Sequence, residues 1–218
     1  MLWAGADPLV PGEEAPGREP DLEDGGLCAL GFAALYRHFE LLGLKGMKPY
    51  LSKPEAASIL DYFSGEDCLP YLESMLKQGL DPNDRGNGGC SAIQRALEAF
   101  CQYGQSYSRF SYIDTGRKNR DLDSERSREF MKIIHMLAEA GGKWRPTVED
   151  IKSARQSLTK MIPEYAVEFI WIMGRYQAAN REDLEELIRT PTIKKVVGKY
   201  RRKINEYLDL LEVHDTTT

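Results

Sequence analysis

The sequence predicts an all-α protein: an α-solenoid of stacked antiparallel helix pairs, closed by a C-terminal helical cap. Three observations lead there. An apolar helical tail, a glycine and then a loop recur at Gly5, Gly79 and Gly141, in MLWAGADPLV, MLKQGLDPND and MLAEAGGKWR. These marks stand 74 and 62 residues apart, each near two periods of about 33 residues, the spacing at which stacked repeats share one core. Between the marks, apolar residues recur at helical intervals, and after Trp144 the outline gives way to longer helical patterns.

Composition bounds the function before any motif does. At 218 residues and 42% apolar content the chain can build a substantial core, as one large or two small domains. Lys and Arg total 29 against 34 Asp and Glu, a net charge of −5, so any attraction to nucleic acid or anionic lipid must be local. The longest strongly apolar run, Ala166 to Met173, contains Glu168 and falls short of the roughly 20 residues needed to span a bilayer, so no membrane partner is expected. No basic segment followed by an apolar stretch opens the chain, which predicts a cytoplasmic protein. Cys28, Cys68, Cys90 and Cys101 form no C-x-x-C pair and read as reduced, mostly buried thiols, with no metal or cofactor implied.

Taken in order, DGGLCALGFAALYRHFELLGLK places Leu27, Leu30, Ala33 and Ala34 on one helix and Phe39, Leu41, Leu42 and Leu44 on a second, short one. The small alanines allow close helix approach. Ser52 reads as an N-cap with Pro54 in the first turn, Ser64-Gly65 as a break, and Asp67 or a neighbour as the cap of a helix that ends at Gly79. From Gln102 to Ser124 the periodicity lapses into an irregular insertion, and helical spacing resumes at Phe130, Ile133, Ile134 and Leu137. Thr147 with Asp150 forms a capping-box pattern opening a helix through Lys160, Pro163 starts another ending near Tyr176, and Asn180 caps REDLEELIRT. A last helix is expected from about Thr192, with Ile193, Val197, Tyr200, Ile204, Leu208 and Leu211 on one face.

Two segments carry a resemblance. GLCALGFAALYRHFELL and GCSAIQRALEAF, each near a G-A-D-P or G-L-D-P-N loop, resemble ankyrin repeats. Gly89, Ser91, Ala92, Ile93 and Ala96 stand where that family has glycine, threonine, alanine, leucine and alanine; Gly26, Ala29, Leu30, Ala33, Ala34, His38 and Glu40 fit in the first segment. Cys28 replaces the capping threonine, Gly31 and Gln94 the motif histidine, and Arg37 the glycine before His38, departures expected to weaken individual repeats through lost hydrogen bonds. The resemblance covers residues 1–145, with the insertion at about 102–124, and leaves 146–218 as the C-terminal helical capping region; alanine-rich hairpins of another α-solenoid type are the rival.

Catalytic constellations are scarce. His38, His135 and His214 are scattered, and DPNDRGNGGCSA fails as a calcium loop because Arg85 and Ala92 occupy ligand places. Lys194, Lys195, Lys199, Arg201, Arg202 and Lys203 gather within ten residues, either as the solvated face of a cap helix or as a contact for nucleic acid or an acidic partner. Tyr103, Tyr107, Phe110 and Tyr112 in the insertion are either recognition residues or a cover for a helix pair.

The resemblance implies a non-enzymatic protein–protein interaction module, with a regulatory or inhibitory subunit among its roles. Its expected contacts are Asp7, Asp81, Asn83, Asp84 and Arg85 at loop tips and Tyr107, Phe110 and Tyr112 in the insertion. The alternatives are a nucleic-acid-binding accessory factor using the basic final helix, or an enzyme. Because the chain opens at what reads as the end of a repeat, self-association through that incomplete repeat is also expected.

Overall fold

The computed structural model describes residues 7–10, 28–53, 56, 59–60, 68–83, 90–98, 120–160, 163–189, 193–195 and 198–212. Among them the chain is helical with no strand, and one isolated parallel bridge pairs Trp144 with Ala179. The helices are α1 (Ala29–Leu35), α2 (Phe39–Leu42), α3 (Lys48–Leu51), α4 (Leu69–Gln78), α5 (92–98), α6 (Arg120–Glu139), α7 (Val148–Lys160), α8 (Pro163–Arg175), α9 (Arg181–Arg189) and α10 (Arg201–Glu212). Single 3-10 turns precede α3 and α10.

Helix starts follow local chemistry. Cys28 caps α1, its Sγ accepting from the Gly31 amide at 3.3 Å, so the thiol keeps a weaker form of the hydroxyl cap. Ser91 Oγ accepts from the Gln94 amide at 3.3 Å. The Thr147–Asp150 box closes in both directions, at 2.7 and 3.2 Å. Ser52 departs from expectation: it is the C-cap of α3, its hydroxyl donating back to the Pro49 carbonyl, and Pro54 lies outside the described residues. Cys68 stands at the N-cap of α4, where its side chain makes no capping bond. Helix α6 begins at Arg120, inside the stretch the sequence marks as irregular. The final helix starts at Arg201, behind a 3-10 turn at Gly198–Tyr200, rather than running unbroken from Thr192.

Helix ends share one device. After α4 the Gly79 and Leu80 amides return to the Leu76 and Met75 carbonyls, and Gly79 takes φ 110°. The same pair of bonds closes α6 at Gly141 and Gly142 (φ 91° at Gly141), and α8 at Gln177 and Ala178 (φ 50° at Gln177). Within the first pair, Arg37 at φ 62° closes α1 in this way, in the position where the ankyrin pattern has glycine. Glycine takes the left-handed region without penalty, whereas Arg37 and Gln177 hold it at a cost of about 1 kcal/mol each.

Three of these turns are tied to one another. Asn83 spans two of them, its amide donating to the Gly141 carbonyl at 3.1 Å and its Oδ1 accepting from the Lys143 amide at 2.8 Å. Lys143 Nζ donates to the Gln177 carbonyl at 2.8 Å, carrying the link to the third turn. Alternate helices follow the same order: Leu97 and Gln94 of α5 bond to Ser157 and Asp150 of α7, and Arg155 of α7 bonds to Glu186 of α9. Helix α8 packs between α6 and α10, and runs alongside α10 in the same direction, since Glu164 meets Tyr200 while Gly174 abuts Tyr207.

One apolar cluster runs from Leu9 and Leu30 through Leu72, Ile134 and Phe169 to Leu211. Each such leucine, isoleucine or phenylalanine contributes about 1.5–3 kcal/mol by leaving water. Trp144 is fully buried at its centre, edge-on to Phe169 at 5.4 Å, and its indole N–H donates to Gln94 Oε1 at 2.9 Å. Gln94 is buried too and gives its amide hydrogens to Glu98 and the Asp150 carbonyl. The Gln94 amide thus joins α5, α7 and the loop between α6 and α7.

Candidate interaction surfaces

The loop-tip residues divide by whether the structure describes them. Asp7 Oδ1 accepts from the Leu9 amide at 3.0 Å and its Oδ2 from Lys53 Nζ at 2.6 Å. These bonds hold the Asp7 carboxyl below its ordinary range, with the Lys53 bond the larger cause. Asp81 Oδ1 accepts from the Asn83 amide at 2.8 Å in the same kind of turn. The two D-P loops singled out by the sequence thus share a geometry, and in both the side chains build the turn. Asp81 and Asn83 remain exposed, whereas Asp7 is half-buried. Gly5, Asp84, Arg85, Tyr103, Tyr107, Phe110 and Tyr112 lie outside the described residues.

All six basic residues of the C-terminal cluster are exposed, yet they do not form one face. Successive residues on a helix point about 100° apart. Lys194 and Arg201 line a cleft of about 490 Å³ between α9 and α10, with Arg181, Arg189 and Glu185 at its rim and Ile188, Ile204 and Leu208 among its apolar lining. Lys203 lines a different cleft, between α8 and α10. Lys199 Nζ lies 5.5 Å from the centre of the Tyr200 ring, and Arg202 pairs with Glu206 at 3.3 Å. Among the described residues Lys194, Lys195, Arg201 and Lys203 have no carboxylate partner.

The histidines stand apart. His38 is exposed at the N-cap of α2, makes no capping bond and lies 3.4 Å from Glu40. His135 stacks on Trp171 with ring centres 6.0 Å apart, and its Nε2 lies 3.0 Å from the Tyr176 hydroxyl. His214 falls outside the described residues. Among the described residues no three His, Cys, Asp or Glu side chains converge as metal ligands, and no helix is long and apolar enough to cross a membrane.

The sequence reasoning missed the cleft between α8 and α10. Trp171, Tyr200 and Tyr207 line it with Glu164 and Glu168, from two helices some 30 residues apart in the chain. The signal lay in the spacing of Glu164, Glu168 and Trp171 along one face of α8, which the apolar run around them obscured. Comparison with protein-family models, with curated proteins and with solved structures finds no match to this chain.

Proposed function

We propose that the chain is a non-enzymatic protein-binding module, an ankyrin-like α-solenoid whose helix pairs stack through their turns and whose role is regulatory or inhibitory. The observation that carries this reading is the lateral tie from the Gly79 turn through Asn83 to Gly141, and through Lys143 to Gln177. Repeating turns held edge to edge leave one continuous edge of loop tips and one continuous face of helices, a geometry suited to holding another folded chain. The recurrence of the same turn at Gln177 supports a stack that continues past residue 145, with α9 and α10 as its cap.

Affinity purification of the intact chain followed by mass spectrometry tests the reading. A stoichiometric protein partner is expected, weakened by Asp81→Asn, which keeps an acceptor for the Asn83 amide and removes only the charge. Recovery of no partner overturns the proposal.

A nucleic-acid-binding factor is the second reading. It is favoured by the four basic side chains near α10 that lack carboxylate partners. Filter binding of duplex and single strands at two salt concentrations separates the readings, since phosphate neutralisation makes affinity fall steeply with salt.

A further inference from the structure

The cleft between α8 and α10 is built from aromatic faces and carboxylates. Glu164, Val167, Glu168 and Trp171 enter it from successive turns of α8; Tyr200, Lys203 and Tyr207 face them from the other side. Its volume of about 320 Å³ admits one long side chain rather than a second helix. Such a space lies at the small end of ligand pockets, which span about 300–1,000 Å³.

Two of the rings are held in place, one from behind the cleft and one across it. Trp171 is braced by His135, whose ring lies 13° from parallel, and the Tyr176 hydroxyl anchors His135 in turn. Tyr200 donates its hydroxyl to Glu164 Oε1 at 2.8 Å, and that bond, more than the Glu164 backbone bond or the nearby Lys199, holds the Glu164 carboxyl below its ordinary range. At Tyr207 the two helices approach closely: its carbonyl oxygen lies 2.6 Å from where a side chain on Gly174 would begin. Trp171 and Tyr200 therefore need little reorganisation to receive a ligand.

Glu168 is the cleft carboxylate that no neighbouring side chain engages by a hydrogen bond. It is half-buried and, among the described residues, makes no hydrogen bond or ion pair. Burial pushes its carboxyl above the ordinary range, an effect opposed by His135. An anion would meet two carboxylates, and a neutral apolar group would desolvate Glu168 further without compensating it. A cation meets both carboxylates and the electron-rich ring faces. Lys199 already places its ammonium over the Tyr200 ring, leaving Trp171 and Tyr207 for an incoming charge.

From this we infer that the α8–α10 cleft receives a cationic side chain of a partner protein, a lysine ammonium either unmodified or methylated, between Trp171 and Tyr207 and against Glu168. The inference rests on the protein-binding reading for the nature of the partner, but its chemistry can be tested without one. Lys203, which also lines the cleft, is a like-charged neighbour that opposes the ligand.

The probe is the N-acetyl amide of trimethyllysine, titrated into the full chain and followed by the Trp171 indole N–H resonance. Its neutral isostere, with a tert-butyl group in place of the trimethylammonium, is titrated in parallel. The cation should shift the resonance saturably and the isostere should not. Glu168→Gln should weaken the probe about tenfold with the melting temperature unchanged, and Lys203→Met should tighten it. Equal binding of the isostere, or an unchanged affinity in Glu168→Gln, overturns the proposal. No shift with any probe, unmodified acetyl-lysine amide included, does the same. Probe binding that depends on Glu168 in a chain that captures no protein would keep the cation cleft and remove the partner reading; a captured partner with a silent cleft would do the reverse.

Discussion

Between Cys28 and Leu51 the helices are 7, 4 and 4 residues long; between Arg120 and Glu212 they run to 20, 13, 13, 9 and 12. Helices under about 12–15 residues are marginal by themselves. The first region therefore depends on its ends: the Cys28 cap, the Arg37 turn and the Lys53–Asp7 tie. The second depends on its faces, with Phe169, Ile170, Ile172 and Met173 of α8 buried against neighbours on several sides. A core can thus be assembled either from well-terminated short helices or from close-packed long ones, and this chain does both with the same closing turn.

The contrast breaks most visibly at its glycines. Gly174→Ala would set a methyl group 2.6 Å from the Tyr207 carbonyl oxygen and force α8 from α10; a loss of about 3 kcal/mol in urea unfolding is expected. Gly43→Ala, in the short-helix region, meets nothing nearer than 3.5 Å and should change stability by less than about 0.5 kcal/mol. Equal effects at the two sites would mean that the two regions are packed alike.

Asn83 joins the Gly79 and Gly141 turns. Asn83→Ala removes both of its bonds across the turns, and about 1.5 kcal/mol should be lost. Hydrogen exchange should quicken at the Lys143 amide and not at Gly31, whose amide is held by Cys28. Faster exchange at both would show that the regions open as a single unit.

Smaller effects than these are expected at the left-handed positions. Gln177→Gly and Arg37→Gly should each stabilise the chain by about 0.5–1 kcal/mol, and Gly141→Ala, with open space around it, should destabilise by about 1 kcal/mol through its backbone angle alone. Thermal melts of the three variants check the signs; destabilisation by Gln177→Gly would mean that the glutamine side chain contributes more than its strained backbone costs.

What could be read from the sequence was what local chemistry decides. Gly79 and Gly141 announce left-handed turns because glycine adopts them freely, and Thr147 with Asp150 announces a helix start because each side chain bonds the other's amide. The Gln177 turn was hidden because its left-handed angle falls on a residue type that does not announce one. Ser52 looked like a start because a hydroxyl before a proline suits one, yet its hydroxyl bonds backward. The Trp144–Gln94 pair and the cleft around Trp171 join residues distant along the chain, and no periodicity encodes such meetings. The dispersal of the basic residues follows from where α9 lies against α10, information absent from a run of lysines and arginines.

Gln94 turns out to make the interior selective between two side chains of almost identical shape. Its amide supplies hydrogens to two oxygens and receives one from an indole. A glutamate of the same outline would face the Glu98 carboxylate and a carbonyl with a second negative charge, and would fit only while carrying a proton. Its acid strength in the folded chain would fall below that of the unfolded one, so acid would favour folding and alkali would oppose it. One nitrogen exchanged for oxygen at that position would make an ordinary core answer to acidity.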